Sequence, residues 1–296
     1  MKELDWSCKK NILIKGFDGR LLPMSEPYFE SRQIAPGTWQ ILSSGDYSYL
    51  LAGDGQGLLI DSGYGAGNIR KYCEELCGMP VPWIANTHEH FDHTANNGYF
   101  DLVFLTEKAH ELATIPFQSF RGIEFPRDYP VHYVKTYDVI PLPGRELICF
   151  ELGDHSPGGI AFLDKKSNIL FSGDEIWSTK PLRTSPEFFG KKLETISEFR
   201  DDFDILYAGN GQYGAGVLDK LLICCRRAAA GEEGSLPPED LGLLGFWEDR
   251  LQDGTVIFDR IRPHMGDGGA GKKTAPQLPQ RCITERGVRL IYARRE

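Results

Sequence analysis

Short apolar runs, cut by glycine, aspartate and asparagine, dominate the middle of the chain. The stretches 38–43, 48–52 and 57–61 read as strands, with Gly53-Asp54-Gly55 as the hairpin turn between the last two. Residues 68–77 have helical character, and a strand entering at Val81 follows. Further strands are expected at 102–105, 146–152, 159–163, 168–172, 204–208 and 288–293, and helices at 193–200 and 217–230. Residues 1–36, punctuated by Pro23, Pro27 and Pro36, are expected to wrap the surface. The stretch 109–137 is rich in aromatics and proline without a period, which predicts a lid or binding loop. Residues 231–238 read as a linker and 266–273 as a mobile loop. No internal repeat stands out. These patterns predict one domain over 1–230, with a motif core at 38–227 and a C-terminal extension, 231–296, packed on it.

The polar positions concentrate where strands end. Directly after 81–85 comes Thr87-His88-Glu89-His90-Phe91-Asp92-His93. Alternate side chains of an extended segment share a face, so His88 and His90 can converge on one cation. Asp92 and His93 come one turn later and suit a second ion beside the first. A polar loop satisfied by water is the plainer reading, but three of the chain's 7 histidines fall in this one loop. His155, Asp174 and Asn210 also each follow an expected strand, so they would meet the first cluster along one sheet edge. His88, His90 and His155 form a three-imidazole set suited to zinc with an open position. Asp174 can bridge two cations, and Asp92 with His93 would complete much of a second site. A cation-bound water ionising at about pH 7 would then attack an ester, thioester, lactone, amide or phosphate. Asp92 is also the candidate catalytic carboxylate.

Composition narrows the partners. The net charge of −9, from 33 basic and 42 acidic residues, argues against a nucleic-acid binder and fits a small-molecule substrate. No run approaches the ~20 apolar residues of a membrane span. The charged start lacks a secretory apolar core, and 7 cysteines without framework spacing point to a reducing cytoplasm. Cys73, Cys77, Cys224 and Cys225 read as core or surface residues.

His-x-His-x-Asp-His at 88–93, His155 in Gly-Asp-His-Ser-Pro-Gly and Asp174 in Phe-Ser-Gly-Asp together resemble the metallo-β-lactamase-fold hydrolase superfamily. Asp61, in Leu-Leu-Ile-Asp-Ser-Gly, resembles that superfamily's early buried aspartate, which supports the metal loop. The resemblance implies an α/β fold, an αββα sandwich with the metal centre at one edge of two mixed sheets. It implies one tight zinc and a second ion, with Mn or Fe as alternatives, and is strongest toward glyoxalase II-like thioesterases and lactonases. One departure stands out. Asn210, in Gly209-Asn210-Gly211, occupies the place of the family's final ligand histidine, which implies a weaker second site. A metal-bearing binding or sensory module without turnover is the alternative that Asn210 suggests. A di-iron redox protein is disfavoured, because position 90 is histidine rather than glutamate and no flavin-binding domain is evident. Trp177, Lys180, Arg183, Phe188 and Phe189 could hold an anionic substrate with an apolar part, or form a packed surface loop. His132 reads as structural, Tyr207 and Tyr213 as buried aromatics, and His110 and His264 lack motif context.

Overall fold

Strands whose successive residues are all apolar must bury both faces, and here two sheets do so. The computed structural model describes residues 12–15, 20–23, 25–43, 46–63, 66–113, 127–209, 211–237, 248–250, 256–259 and 280–293. In chain order, β1 (Ile12–Lys15), β2 (Leu21–Pro23), β3 (Glu30–Ala35), β4 (Thr38–Ser43), β5 (Asp46–Ala52) and β6 (Gly57–Ile60) precede α1 (Ile69–Cys77). Next come β7 (Trp83–Ala85), α2 (Phe91–Thr94), β8 (Leu102–Leu105), α3 (Glu107–Ala113), β9 (Val131–Tyr133) and β10 (Val139–Ile140). They lead to β11 (Leu147–Glu151), β12 (Ile160–Asp164), β13 (Ile169–Gly173), β14 (Thr179–Pro181) and α4 (Pro186–Ser197). Then follow β15 (Ile205–Ala208), β16 (Gly211–Gly214), α5 (Gly216–Ala229), β17 (Glu248–Arg250), β18 (Val256–Asp259), β19 (Gln280–Glu285) and β20 (Val288–Ala293).

One sheet runs β3-β4-β5-β6-β7-β8-β9 and faces a second that runs β10-β11-β12-β13-β15-β16. Between them, Leu58, Ile60, Ala85 and Phe104 pack against Phe162, Ile169 and Phe171. The intervening residues point outward: Leu59, Ile84 and Val103 meet Ile69 and Cys73 of α1. On the opposite outer face, Ala161, Leu163, Leu170 and Leu206 meet Phe189, Leu193 and Ile196 of α4 and Leu218 and Leu221 of α5. The result is an αββα sandwich. Burying each such Leu, Ile or Phe stabilises it by about 1.5–3 kcal/mol.

Helix ends follow local chemistry. Asn68 accepts the Lys71 amide at 3.1 Å and opens α1, and Gly78, with φ of 70°, closes it. The helix expected at 193–200 begins earlier, at Pro186, because Ser185 accepts the Phe188 amide and the proline sits in the first turn. Residues 1–36, expected to wrap the surface, supply β1, β2 and the edge strand β3. The segment 109–137 carries the end of α3 and β9; residues 114–126 within it, and the loop expected at 266–273, lie outside the described residues. The C-terminal strand β20 has a hairpin partner, β19, that the sequence reading missed, and pairs in parallel with β14. Among the described residues no helix is long and apolar enough to cross a membrane.

The topology also sets the site. β6 and β7 run parallel, with Ile60 opposite Ala85, and β13 and β15 run parallel, with Gly173 opposite Ala208. Their C-terminal ends deliver Asp61, Thr87-His88, Asp174 and Gly209.

Candidate metal centre

The described ligand candidates come from two strand ends, one short helix and one loop. His88 and His90 follow β7, the single-turn helix α2 turns Asp92 and His93 back beneath them, the β11–β12 loop carries His155, and Asp174 follows β13. His88 Nε2 lies 2.9 Å from His90 Nδ1, and His155 Nε2 lies 3.1 Å from the same atom. Nitrogens of a tetrahedral zinc site sit about 3.3–3.4 Å apart, so this trio is drawn in to about the spacing one cation requires. A second group, His88, His93 and Asp174, brings its ligand atoms within 4.8 Å of one another. Asp174 spans both groups, at 3.5 Å from His155 Nε2 and 3.9 Å from His93 Nε2.

The hydrogen bonds of Asp61 and Thr87 fix which nitrogens face inward. Asp61 Oδ1 accepts the Thr87 amide at 2.8 Å, and Oδ2 accepts the Thr87 hydroxyl at 2.7 Å. With its proton given to Asp61, the Thr87 oxygen accepts from His88 Nδ1 at 3.1 Å. His88 Nε2 is therefore left with a lone pair. Asp61 Oδ2 also takes His93 Nδ1–H at 2.8 Å, which leaves His93 Nε2 bare. That Nε2 and Asp92 Oδ1 are buried without a hydrogen-bond partner. Orphaned acceptors of this kind are costly unless something electropositive sits between them, so the residues fit a cation.

A buried polar shell holds the loop. The His93 carbonyl accepts from Ser62 N, Ser62 Oγ and Asn86 Nδ2 at 2.8, 3.1 and 2.8 Å. Asn96 donates its side-chain amide to the Ser62 carbonyl at 3.0 Å. Gly209 has no side chain for reasons of space: a Cβ there would collide with Asp174 Oδ1 and lie 3.4 Å from His93 Cε1. The sequence reading missed these residues, apart from Asp61. Gly209, next to Asn210 in a Gly-x-Gly turn, was the one visible signal.

Without a cation, the packing sets opposing titrations. Burial, then His93, His90 and His155, hold His88 well below its ordinary pKa. Burial, His90 and Lys180 do the same to His155. Burial also opposes charge on His93, but Asp61, Asp92 and Asp174 together outweigh it and hold that ring well above its ordinary pKa. Burial pushes Asp174 up to about 6, with His93 opposing. The two depressed rings take up protons only on unfolding, so they destabilise the fold as pH falls below about 6.5. Asp174 gives the opposite slope between about pH 4 and 6, and Glu175, likewise raised by burial, adds to it, so below about pH 6 rings and carboxyls oppose one another. His93 contributes fully below about pH 6.5, and its contribution is lost as pH rises through its raised pKa. The metal-free protein is thus expected to lose stability as pH rises above about 6.5, which thermal melts in chelator from about pH 6.5 to 8 would check. Stability still climbing at pH 8 would contradict this assignment of charges.

The segment after Asp174 divides. Trp177 is buried with its ring 6.2 Å from His155, Phe189 is buried in the outer core, and Lys180 is buried rather than aimed at a substrate. Arg183 and Phe188 are exposed. Tyr207 is buried and Tyr213 partly buried, while His132 stands exposed on β9 with its ring 5.4 Å from Phe104. His110 meets the Tyr133 hydroxyl at 2.9 Å. Asn210 and His264 lie outside the described residues.

Residues 45–217 match the family model described as the metallo-beta-lactamase superfamily. The chain belongs to the metallo-beta-lactamase superfamily and is a hydrolase of that class. Among curated relatives, acyl-coenzyme A thioesterase MBLAC2 of Homo sapiens is 27% identical over 211 residues, covering 60% of this chain and 69% of that protein. Its Gallus gallus counterpart is 28% identical over 160 residues, 44% of this chain and 57% of that protein. The chain thus spans between 57% and 69% of these relatives' length. Among solved structures, a metallo-beta-lactamase from Hirschia baltica aligns with a TM-score of 0.52 at 17% identity, covering 67% of this chain and 98% of that one. A metallo-beta-lactamase family protein from Thermus thermophilus aligns at 0.51 and 20% identity, covering 66% and 80%. At such identities the likeness is one of fold.

Proposed function

We propose that the chain hydrolyses an acyl thioester, with divalent cations held in two adjoining positions. The observation that carries this reading is the convergence of His88 Nε2, His90 Nδ1 and His155 Nε2, beside the bare His93 Nε2 and Asp92 Oδ1. His88, His90 and His155 would hold the tighter ion, zinc by the chemistry of the three nitrogens. His93 and Asp92 would hold the second, with Asp174 shared. Such cations lower the pKa of a bound water and polarise a carbonyl, which is what thioester hydrolysis needs.

The chain's own residues do the rest. Asp61 and Thr87 hold the His93 and His88 rings in the tautomers that face inward. Asp92 has two carboxylate oxygens, so the one not turned to the second cation can take up a proton. Trp177, itself buried, packs its ring beside the buried His155. Arg183 is near enough for its charge to weigh on His88 and His155, and there it would attract an anionic acyl carrier. The name of the curated relatives favours a thioester over a lactone, and coenzyme A is such an anionic carrier.

The test is metal analysis of protein purified without added metal, followed by a panel of acyl-coenzyme A, smaller thioesters, esters and lactones. Chelator should remove thioester hydrolysis, and added Zn, Mn or Fe should restore it. No turnover of any thioester by metal-replete protein would overturn the proposal.

A further inference from the structure

Glu175 follows Asp174 directly but faces the other way, into the loop that carries His155. Its carboxylate accepts the backbone amides of Asp154 at 3.2 Å, His155 at 2.9 Å and Ser156 at 3.4 Å. Gly159 leaves room for it, since a Cβ there would collide with Glu175 Oε1. The Lys180 ammonium enters the same place, 2.9 Å from Asp154 Oδ2 and 3.7 Å from Glu175 Oε2. Lys180, Asp154 and Glu175 are each at most 2% exposed. The other Asp154 oxygen accepts the Thr184 amide and hydroxyl at 2.9 and 2.6 Å and the Arg183 amide at 3.2 Å. Behind the ammonium lies the Phe189 ring, its centroid 5.2 Å away. β20 fixes the backbone, with Leu290 in register with Lys180.

Taking three charges out of water costs several kcal/mol each unless geometry and hydrogen bonds compensate. Hydrophobic residues would fill this space with less risk. The network's one feature that they could not reproduce is a carboxylate aimed at three successive amides, the middle one belonging to His155. That carboxylate needs a fixed counter-charge, and Lys180 supplies it. Glu89 adds a second tie by accepting the Ser156 hydroxyl, so the His155 loop is held by Glu175 on one side and by the loop bearing His90 on the other.

We propose that Lys180 is a positioning residue for the three-histidine group: paired with Asp154 and Glu175, it locks the 154–156 backbone so that His155 Nε2 is held against His90 Nδ1. It touches neither cation nor substrate. The inference rests on the reading that this group holds a cation. Orientation of metal ligands by surrounding partners is typically worth about 10- to 100-fold in affinity.

The experiment uses the full chain and two variants of similar volume, Lys180→Met and Glu175→Gln, each freed of metal by chelator. Folding is followed by circular dichroism and thermal melts. Zinc is titrated against a chromophoric chelator, and cobalt absorption reports the geometry of the three-histidine group. Both variants are expected to weaken that group about 10- to 100-fold and alter its cobalt spectrum, while the second group keeps its affinity. Because both act through one anchor, the double variant should lose no more than the worse single one. A purely structural network would instead lower the melting temperature and leave the zinc affinities and cobalt spectrum as in wild type. That result, or equal weakening of both groups, overturns the proposal. If Lys180→Met fails to fold, Glu175→Gln decides by the same criteria. Wild type that binds no cation at the three histidines would overturn the proposed function as well, whereas normal wild-type binding with unchanged variants overturns this inference alone.

Discussion

Replacing His88 and His90 together with alanine is expected to leave a folded chain that no longer retains its tighter cation. Thioester hydrolysis should fall by more than about 1,000-fold, or about 4 kcal/mol of transition-state stabilisation. The reason is geometric. His90 Nδ1 is the atom against which both other nitrogens of the trio are placed, at 2.9 and 3.1 Å. Without these two rings, His155 is left alone with a carboxylate 3.5 Å away. The core of the sandwich is untouched by the change, because both side chains project from the end of β7 rather than into a packed layer. Elemental analysis beside a circular dichroism spectrum decides the matter: a folded double variant with wild-type metal content would sink the ligand assignment.

Asp61→Asn is expected to act on the second cation. Asp61 has a positive φ of 56°, and asparagine tolerates that backbone as well as aspartate does. The substitution therefore isolates the carboxylate. One amide oxygen cannot accept from the Thr87 amide, the Thr87 hydroxyl and His93 Nδ1 together, and the amide nitrogen would turn a donor toward another donor. The cheapest relief is for the His93 proton to move to Nε2, which closes the lone pair facing Asp92 and Asp174. Second-site affinity should drop by about 10- to 100-fold, and the metal-free fold should lose about 1–3 kcal/mol. The first site should weaken less, since Asp61 reaches His88 only through the Thr87 hydroxyl. Zinc titration and denaturant melts of the variant test both halves, and an unchanged second affinity would remove Asp61 from this role.

Much of the sandwich was legible because strands buried on both faces leave unbroken apolar runs. β4 and β8 fall on the residues expected, and β20 spans 288–293 as expected. The start of α4 was not legible: Gly190 breaks the helical pattern, and the decisive signal was the cap, Ser185 followed by Pro186. β3 and β19 were missed because edge and hairpin strands carry many polar residues, such as Arg32 and Gln33 or Gln280 and Arg281. The structure brings His88, His90, Asp92, His93, His155 and Asp174 together at one edge, where strand ends and spacing had placed them. The role of Lys180 could not be read. A lysine among aromatics suggests a substrate contact, and only the fold shows that Asp154 and Glu175 meet it underneath. The signal lay in Asp174-Glu175, two carboxylates in succession between Gly173 and Ile176, where only one can face the histidines.

The pairing of β14 with β20 joins residues 179–181 to residues 288–293, more than a hundred positions later. Chains emerge from the ribosome N-terminal end first, and domains close as their parts become available. The His88–His93 loop is therefore synthesised about two hundred residues before the strand that backs Lys180. Until it does, α4 and α5 lack Ile283, Leu290 and Tyr292 from their apolar cluster, and β14 has an open edge. The nascent protein thus passes through an interval in which an early histidine cluster is present but the seat of His155 is unfinished. Full-strength cation capture waits for β20, and an early stop codon just beyond α5 would spare His88, His90, His93 and His155 yet leave the centre without its brace.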